Sequence, residues 1–202
     1  MTDNPYWNEV RNTVEADRTW GGPTARIYAF DGSPYADRHD LVGRYAWTIS
    51  DPATVAFVAE HAGARVLDPM AGSGYWAYLL SATADVLAFD LNPPDLGGNH
   101  WHKQGVIHAP VDRGDAIEVA DRHGAGRTLL LAWPPYDDPT GASVVRAYGG
   151  ARIVYIGESS GGCCGDDNLF DEFRSNWVKV AEHRPVQYTG MHDFVIVYDR
   201  KA

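Results

Sequence analysis

The sequence predicts an α/β protein built on a doubly wound, mostly parallel sheet that finishes in an antiparallel edge. Three observations lead there. From residue 51 onward, short apolar runs rich in β-branched residues alternate with helical patterns, as in successive strand–helix–strand units. The run Val66-Leu67 ends in Asp68 and turns at once through Gly72-Ser73-Gly74, and a second apolar run ends in an acid at Asp90. The tail, finally, holds two strand patterns with no helical pattern between them.

Taken in order, residues 1–50 form an aromatic-rich arm. Tyr6, Trp7, Trp20, Tyr28, Phe30, Tyr35, Tyr45 and Trp47 sit among Gly, Pro and Asp without a clear period. Irregular chain or short helices packed against a core is the expectation. The second unit, residues 51–202, opens at Ser50-Asp51-Pro52, a capping side chain followed by proline in the first turn of a helix. Val55, Val58, Ala59 and Ala62 keep helical spacing, and Gly63 ends the segment. Strands are expected at 65–68, 86–90, 128–133 and 152–157, and helices near 75–82, 115–122, 140–148 and 167–174. Residues 104–111 fit either a short strand or a loop. Strands near 177–184 and 192–199, joined by a turn at Gly190, make the antiparallel edge.

Composition narrows the function classes. At 202 residues the chain is long enough to bury a core without staples. A formal charge of −10 argues against a domain that grips a phosphate backbone by bulk electrostatics, so nucleic acid is the disfavoured partner. The first residues lack the charged and apolar regions of a signal peptide, and no segment approaches the ~18 apolar residues of a membrane span. Cys163 and Cys164 are adjacent, which makes neither a disulfide framework nor a Cys-x-x-Cys pair. The expectation is a cytoplasmic protein with no membrane partner. Its oligomeric state is not legible.

The glycine turn carries the first chemistry. A side chain there would keep the backbone away from a ligand, and a carboxylate at the end of the next strand can accept hydrogen bonds from both hydroxyls of a ribose. An adenosine-containing cofactor is therefore expected. Gly72-x-Gly74-x-x-Ala77 also satisfies the dinucleotide fingerprint, which keeps an NAD(P)-dependent Rossmann oxidoreductase as the alternative.

With these residues in view, the chain resembles the class I S-adenosylmethionine-dependent methyltransferases over roughly residues 50–200, and the resemblance implies their Rossmann-like fold. It makes Asp68, Ala71, Gly72 and Gly74 the contacts to the methionine part of S-adenosyl-L-methionine. It gives Asp90 the ribose hydroxyls and Asp115, in Gly114-Asp115-Ala116, the adenine amino group. Leu131-Ala132-Trp133-Pro134-Pro135-Tyr136 looks like the Asp/Asn-Pro-Pro-Tyr signature of methyltransferases that act on amino nitrogens. In that family the first side chain and a proline carbonyl hold the target amine, while the tyrosine stacks on a planar substrate. Trp133 departs from the pattern, because an indole has one donor and no acceptor. It suits a pocket for a flat or cationic substrate, and Asp137 or Asp138 stands near enough in sequence to replace the missing acceptor. The chain also resembles a group of small methyltransferase-like proteins in Arg44-Tyr45-Ala46-Trp47, Gly72-Ser73-Gly74-Tyr75-Trp76-Ala77, Trp133-Pro134-Pro135-Tyr136, Tyr155-Ile156-Gly157-Glu158 and Gly190-Met191-His192-Asp193.

Other candidates are weighed against plainer roles. Tyr45 and Trp47 precede the first core helix and serve either as a substrate wall, with Pro135, or as plugs for the sheet edge. Trp76 reads as core. Glu158, at the end of a buried strand, is a candidate to orient an amine or accept a proton, with a loop or cap acid as the alternative. His192 beside Asp193 is a candidate general base or a turn hydrogen bond. The glycine-rich 159–165 segment is expected to be a loop over the pocket. His100, His102 and His108 lack a convincing further ligand, and no metal is expected. The resulting expectation is methyl transfer to a nitrogen of a small-molecule or protein substrate. Trp133, Pro134, Tyr136, Glu158 and His192 would carry the catalysis. A non-catalytic binding protein of the same fold is the further alternative.

Overall fold

A computed structural model describes residues 2–16, 23–28 and 38–202. Trp20, Phe30 and Tyr35 of the arm lie outside the described residues, as does the side chain of Tyr28.

Helix α1 (Pro5–Val10) and a single 3-10 turn lead into β1 (Val14–Ala16) and β2 (Pro23–Tyr28). Helix α2 (Arg38–Arg44) precedes α3 (Pro52–Ala62). Strand–helix alternation then runs through β3 (Arg65–Asp68), α4 (Tyr75–Leu80), β4 (Asp85–Asp90), β5 (Asp112–Arg113), α5 (Ala116–His123), β6 (Thr128–Ala132), α6 (Thr140–Ala147) and β7 (Arg152–Glu158). Helix α7 (Asp167–Asn176), β8 (Trp177–His183), β9 (Gln187–Thr189) and β10 (Asp193–Arg200) complete the chain. Seven strands form the main sheet in the order β5-β4-β3-β6-β7-β10-β8. Strands β5, β4, β3, β6 and β7 are parallel, whereas β10 runs antiparallel to both of its neighbours. The expected antiparallel edge is therefore present, with β10 inserted between β7 and the outermost strand β8.

The period of two in each strand divides the core between the two faces of the sheet. Val66, Leu130, Val154, Ile156, Val195 and Val197 pack with α3, α4 and the arm. Leu67, Leu129, Leu131, Ile153, Tyr155 and Ile196 pack with α5, α6 and α7. Helix α3 starts as its sequence requires. Asp51 accepts the amides of Ala53 and Thr54 at 3.0 and 3.1 Å, and Pro52 follows in the first turn.

Two expectations are refined. Residues 104–111 form no strand, and the short strand that pairs with β4 comes later, at Asp112–Arg113. The arm is also more regular than its composition suggested. Strands β1 and β2 pair antiparallel, and β2 pairs in parallel with β9 from the far end of the chain. Tyr6, Val10, Leu41 and Ile49 share one buried cluster with Val58, Val66 and Leu80, so packing joins the arm to the main sheet.

Candidate active site

A cavity of about 850 Å³ opens at the carboxyl ends of β3, β4 and β6. Ligands sit there in open parallel sheets because loops diverge from the strand ends and helix N-termini point inward.

One part of its wall is built by the glycine turn. Asp68 ends β3 fully buried, and its Oδ1 has no hydrogen-bond partner. Burial, then the charge of Asp90, pushes its carboxyl up to about 8. The Ala71 amide donates to the Phe89 carbonyl at 2.8 Å, and the Gly72 amide to Asp90 Oδ2 at 3.0 Å. Asp90 Oδ1 accepts the Asn92 amide at 2.9 Å. Asp115 caps α5 through Oδ1, which accepts from Ile117 and Glu118. Asp68, Ala71, Gly72, Asp90 and Asp115 thus line one cavity, although they come from three separate turns of chain.

Gly74 does not join them. It stands behind the wall with φ +69°, and a Cβ there would sit 2.9 Å from the Ala109 carbonyl oxygen. At Gly72, with φ +53°, a Cβ would run into the imidazole of His102. The glycines are thus required first by the chain's own 102–111 segment, which closes over the turn. Ligand access alone does not account for them. His102 is buried against this turn and bonds through Nδ1 to the Gly43 carbonyl at 3.1 Å. Among the described residues no group of His, Cys, Asp and Glu could hold a metal ion.

The rest of the wall is aromatic. Trp133 leaves β6 with φ +50°, a conformation that costs a non-glycine residue about 1–2 kcal/mol. Its amide donates to the Ile156 carbonyl at 2.8 Å, and its ring stacks on Trp47 with centroids 4.9 Å apart. Its indole Nε1–H donates to Thr48 Oγ1 at 2.8 Å, and Thr48 donates to Asp193 Oδ2 at 2.7 Å. Pro134, Pro135, Asp138 and Tyr136 continue the lining, with Tyr136 exposed at the mouth. Tyr45 contributes to the wall, but its ring is stacked between Tyr6 and His108. Trp76 lines the cavity as well as filling the core.

Several expected roles change. The Pro134 carbonyl, the remaining acceptor of the amine clamp, accepts the Gly165 amide at 3.0 Å. Glu158 does not line the cavity. Its Oε2 accepts the Cys163 amide at 2.7 Å and its Oε1 the His192 amide at 2.8 Å, so it fastens two loops together. His192 lies outside the cavity with its Nδ1 3.7 Å from Glu158 Oε1. Neither side chain is therefore positioned to take a proton from a substrate in this cavity. Asp137 is likewise outside the lining, and the Asp138 carboxylate accepts the Thr140 amide at 2.8 Å.

Sequence reasoning missed Arg38, Thr48, Trp101 and Met191, all of which line the cavity. Arg38, Thr48 and Trp101 sit in no recognisable motif, and Met191 lies in the Gly190–Asp193 phrase without having been singled out. Asp193, paired with His192 in sequence, is the buried partner of Thr48, and its Oδ1 has no hydrogen bond. Burial pushes its carboxyl up to about 7, against the opposing effects of the Thr48 hydroxyl and the Arg38 charge.

No protein-family model matches the sequence, and no curated protein matches it. Solved structures do. TrmN from Thermus thermophilus aligns over 74% of this chain at 18% identity with a TM-score of 0.52, and the chain spans about half, 49%, of that protein's length. An S-adenosylmethionine-dependent O-methyltransferase from Thermotoga maritima aligns over 83% of this chain and 72% of its own, at 16% identity and a TM-score of 0.50. Magnesium protoporphyrin IX methyltransferase from Synechocystis, solved with bound S-adenosylmethionine, aligns over 87% of this chain and 88% of its own. Its identity is 13% and its TM-score 0.51. The chain therefore has the α/β fold of these methyltransferases, with the seven-stranded sheet and its reversed strand β10.

Proposed function

We propose that this chain is an S-adenosylmethionine-dependent methyltransferase whose acceptor atom is a nitrogen of a small molecule. The observation that carries the reading is the convergence of Asp68, Gly72, Asp90 and Asp115 on the cavity that also holds the Trp47–Trp133 pair.

The residues fit the cofactor. A buried carboxylate oxygen without a partner, Asp68 Oδ1, suits the donor of an ammonium group. Asp90, fixed by two backbone amides, is a ready acceptor for ribose hydroxyls, and Asp115 suits the adenine amino group. When bound, S-adenosylmethionine supplies an electrophilic methyl group on a sulfonium. The protein's part is to hold a neutral nitrogen on the axis of displacement in this chamber, so orientation carries most of the rate. The flat faces of Trp47 and Trp133 bound that chamber and favour a planar acceptor. With Glu158 and His192 facing elsewhere, no side chain is assigned as the proton acceptor, and proton loss follows transfer to solvent.

The reading is tested by calorimetry and label transfer. S-adenosylmethionine and S-adenosylhomocysteine are expected to raise the melting temperature, and NAD to leave it unchanged. Asp90→Ala is expected to weaken S-adenosylhomocysteine binding about 10- to 100-fold and to cost about 1–3 kcal/mol in stability, because the Gly72 and Asn92 amides lose their acceptor. Stabilisation by NAD alone would overturn the assignment in favour of the oxidoreductase. Methyl label from S-adenosylmethionine should appear in the small-molecule fraction of a lysate. Label in RNA would remove the acceptor class proposed here.

A further inference from the structure

One charged side chain in the cavity has no role in the reading above. Arg38, the first residue of α2, is 3% exposed, lines the cavity, and has both Nε and Nη2 buried without any hydrogen-bond partner. Among the described residues it is the only arginine or lysine in the lining, and none of their carboxylates lies within ion-pair distance of it. Its carbon Cζ lies 4.9 Å from the ring centroid of Trp47 and 5.2 Å from those of Trp133 and Tyr188. These rings satisfy the guanidinium through its charge. They cannot accept its in-plane N–H bonds. Leaving two charged donors unmet in a buried position is costly, and each such group calls for a partner.

The unpartnered pair defines that partner. Nε and Nη2 are the two nitrogens on one edge of the guanidinium, with N–H bonds nearly parallel, the edge that takes both oxygens of a carboxylate. We propose that Arg38 is the recognition residue for a carboxylate on the acceptor substrate, so that the acceptor is a flat, carboxylate-bearing amine or nitrogen heterocycle. This deepens the methyltransferase reading and, for the identity of the bound carboxylate as an acceptor, rests on it. A phosphate is the poorer fit. Its second charge would meet one cation only, beside the Asp193 carboxyl that already interacts with Arg38, and the described residues offer no array of lysines or arginines to share it. Polarity also orients the acceptor. Asp90 and Asp115 repel a carboxylate at the strand ends, whereas Arg38 attracts it among the rings, leaving the nitrogen to face the strand ends.

The probes are benzoate and 4-aminobenzoate, against neutral benzamide and against phenyl phosphate, titrated into wild type and Arg38→Gln with and without saturating S-adenosylhomocysteine. Binding is followed by tryptophan fluorescence. The two carboxylates should quench the wild type and bind about 10- to 100-fold more weakly to Arg38→Gln, with benzamide weak in both proteins. S-adenosylhomocysteine affinity should be unchanged in the variant. Equal binding of benzamide and benzoate to wild type overturns the proposal without reference to any variant, which covers the case in which Arg38→Gln fails to fold. Preference for phenyl phosphate also overturns it. A variant that keeps its fold but loses S-adenosylhomocysteine affinity shows that Arg38 serves the cofactor's own carboxylate, and overturns it too. If S-adenosylhomocysteine binds neither protein while benzoate still distinguishes them, the methyltransferase reading fails and carboxylate recognition by Arg38 stands.

Discussion

The two parts of the cavity wall are made in different ways. The part around Asp68, Gly72 and Asp90 comes from two neighbouring parallel strands and the turns that leave them, and its geometry is set by hydrogen bonds between those turns. The part around Arg38, Trp47 and Trp133 draws on the arm and the end of β6, with Tyr188 of β9 packed against Arg38 from behind, and these segments meet only after the chain has closed on itself. A constellation fixed by local turns can leave a motif in sequence. One assembled from distant segments leaves scattered aromatics and a single arginine, with no spacing to read.

The largest expected effect probes the glycine turn. Gly72→Ala places a Cβ on His102 in a left-handed backbone conformation, and a loss of about 2–4 kcal/mol in chemical unfolding is expected from strain and overpacking together. His102→Ala should recover part of that loss, since it opens the space the new methyl needs. If His102→Ala restores nothing, the close approach of the 102–111 segment is not what demands the glycine.

Next comes the pH dependence of the two buried acids. Asp68 and Asp193 have folded values of about 8 and about 7, both above the ordinary carboxylate range. Raised values mean that folding favours the protonated acids. Their stabilising contribution is complete below about pH 4 and is lost as pH rises through about 7 to 8. In urea melts over that window, Asp68→Asn and Asp193→Asn should each flatten the decline relative to wild type. Saturating S-adenosylhomocysteine should reduce the decline due to Asp68 but not that due to Asp193, which separates the two parts of the site. An equal response of both variants would erase the distinction.

The smallest effect concerns the aromatic wall. Trp133→Phe keeps a ring against Trp47 and removes the Nε1–H bond to Thr48, so a cost of about 1 kcal/mol in the melting curve is expected, with S-adenosylhomocysteine affinity unchanged. A large loss of cofactor affinity would mean that the two parts act as one unit.

Much of the fold was legible because its signals are short-ranged. The strands and helices expected between 65 and 200 follow from alternation, caps and glycine stops, with shifts of one or two residues at the ends, whereas the short strands β5 and β9 carry no such signal and were not read. Asp68 and Asp90 could be picked out because each terminates a recognisable strand, Gly72 because it stands in the Gly-x-Gly turn, and Asp115 through the family resemblance of Gly114-Asp115-Ala116. Glu158 could not be judged from sequence. An acid at the end of a strand looks the same whether it faces a ligand or accepts the amides of Cys163 and His192, and only the return of β10 beside β7 decides which. Pro134 is similar, since its carbonyl is engaged by Gly165 from the following loop.

By itself, the sequence determined the parallel sheet, the reversed strand near its end and the acids that meet at the carboxyl ends of β3 and β4. These depend on side-chain period and on backbone conformation within a few residues, which any chain carries locally. Tertiary structure alone decided that the arm pairs with β9, that His102 sits against Gly72, and that Arg38 is buried among three rings with its side-on edge unmet. Burial of a charge is a property of everything packed around it, and no stretch of sequence near Arg38 records the rings from Trp133 and Tyr188 that enclose it.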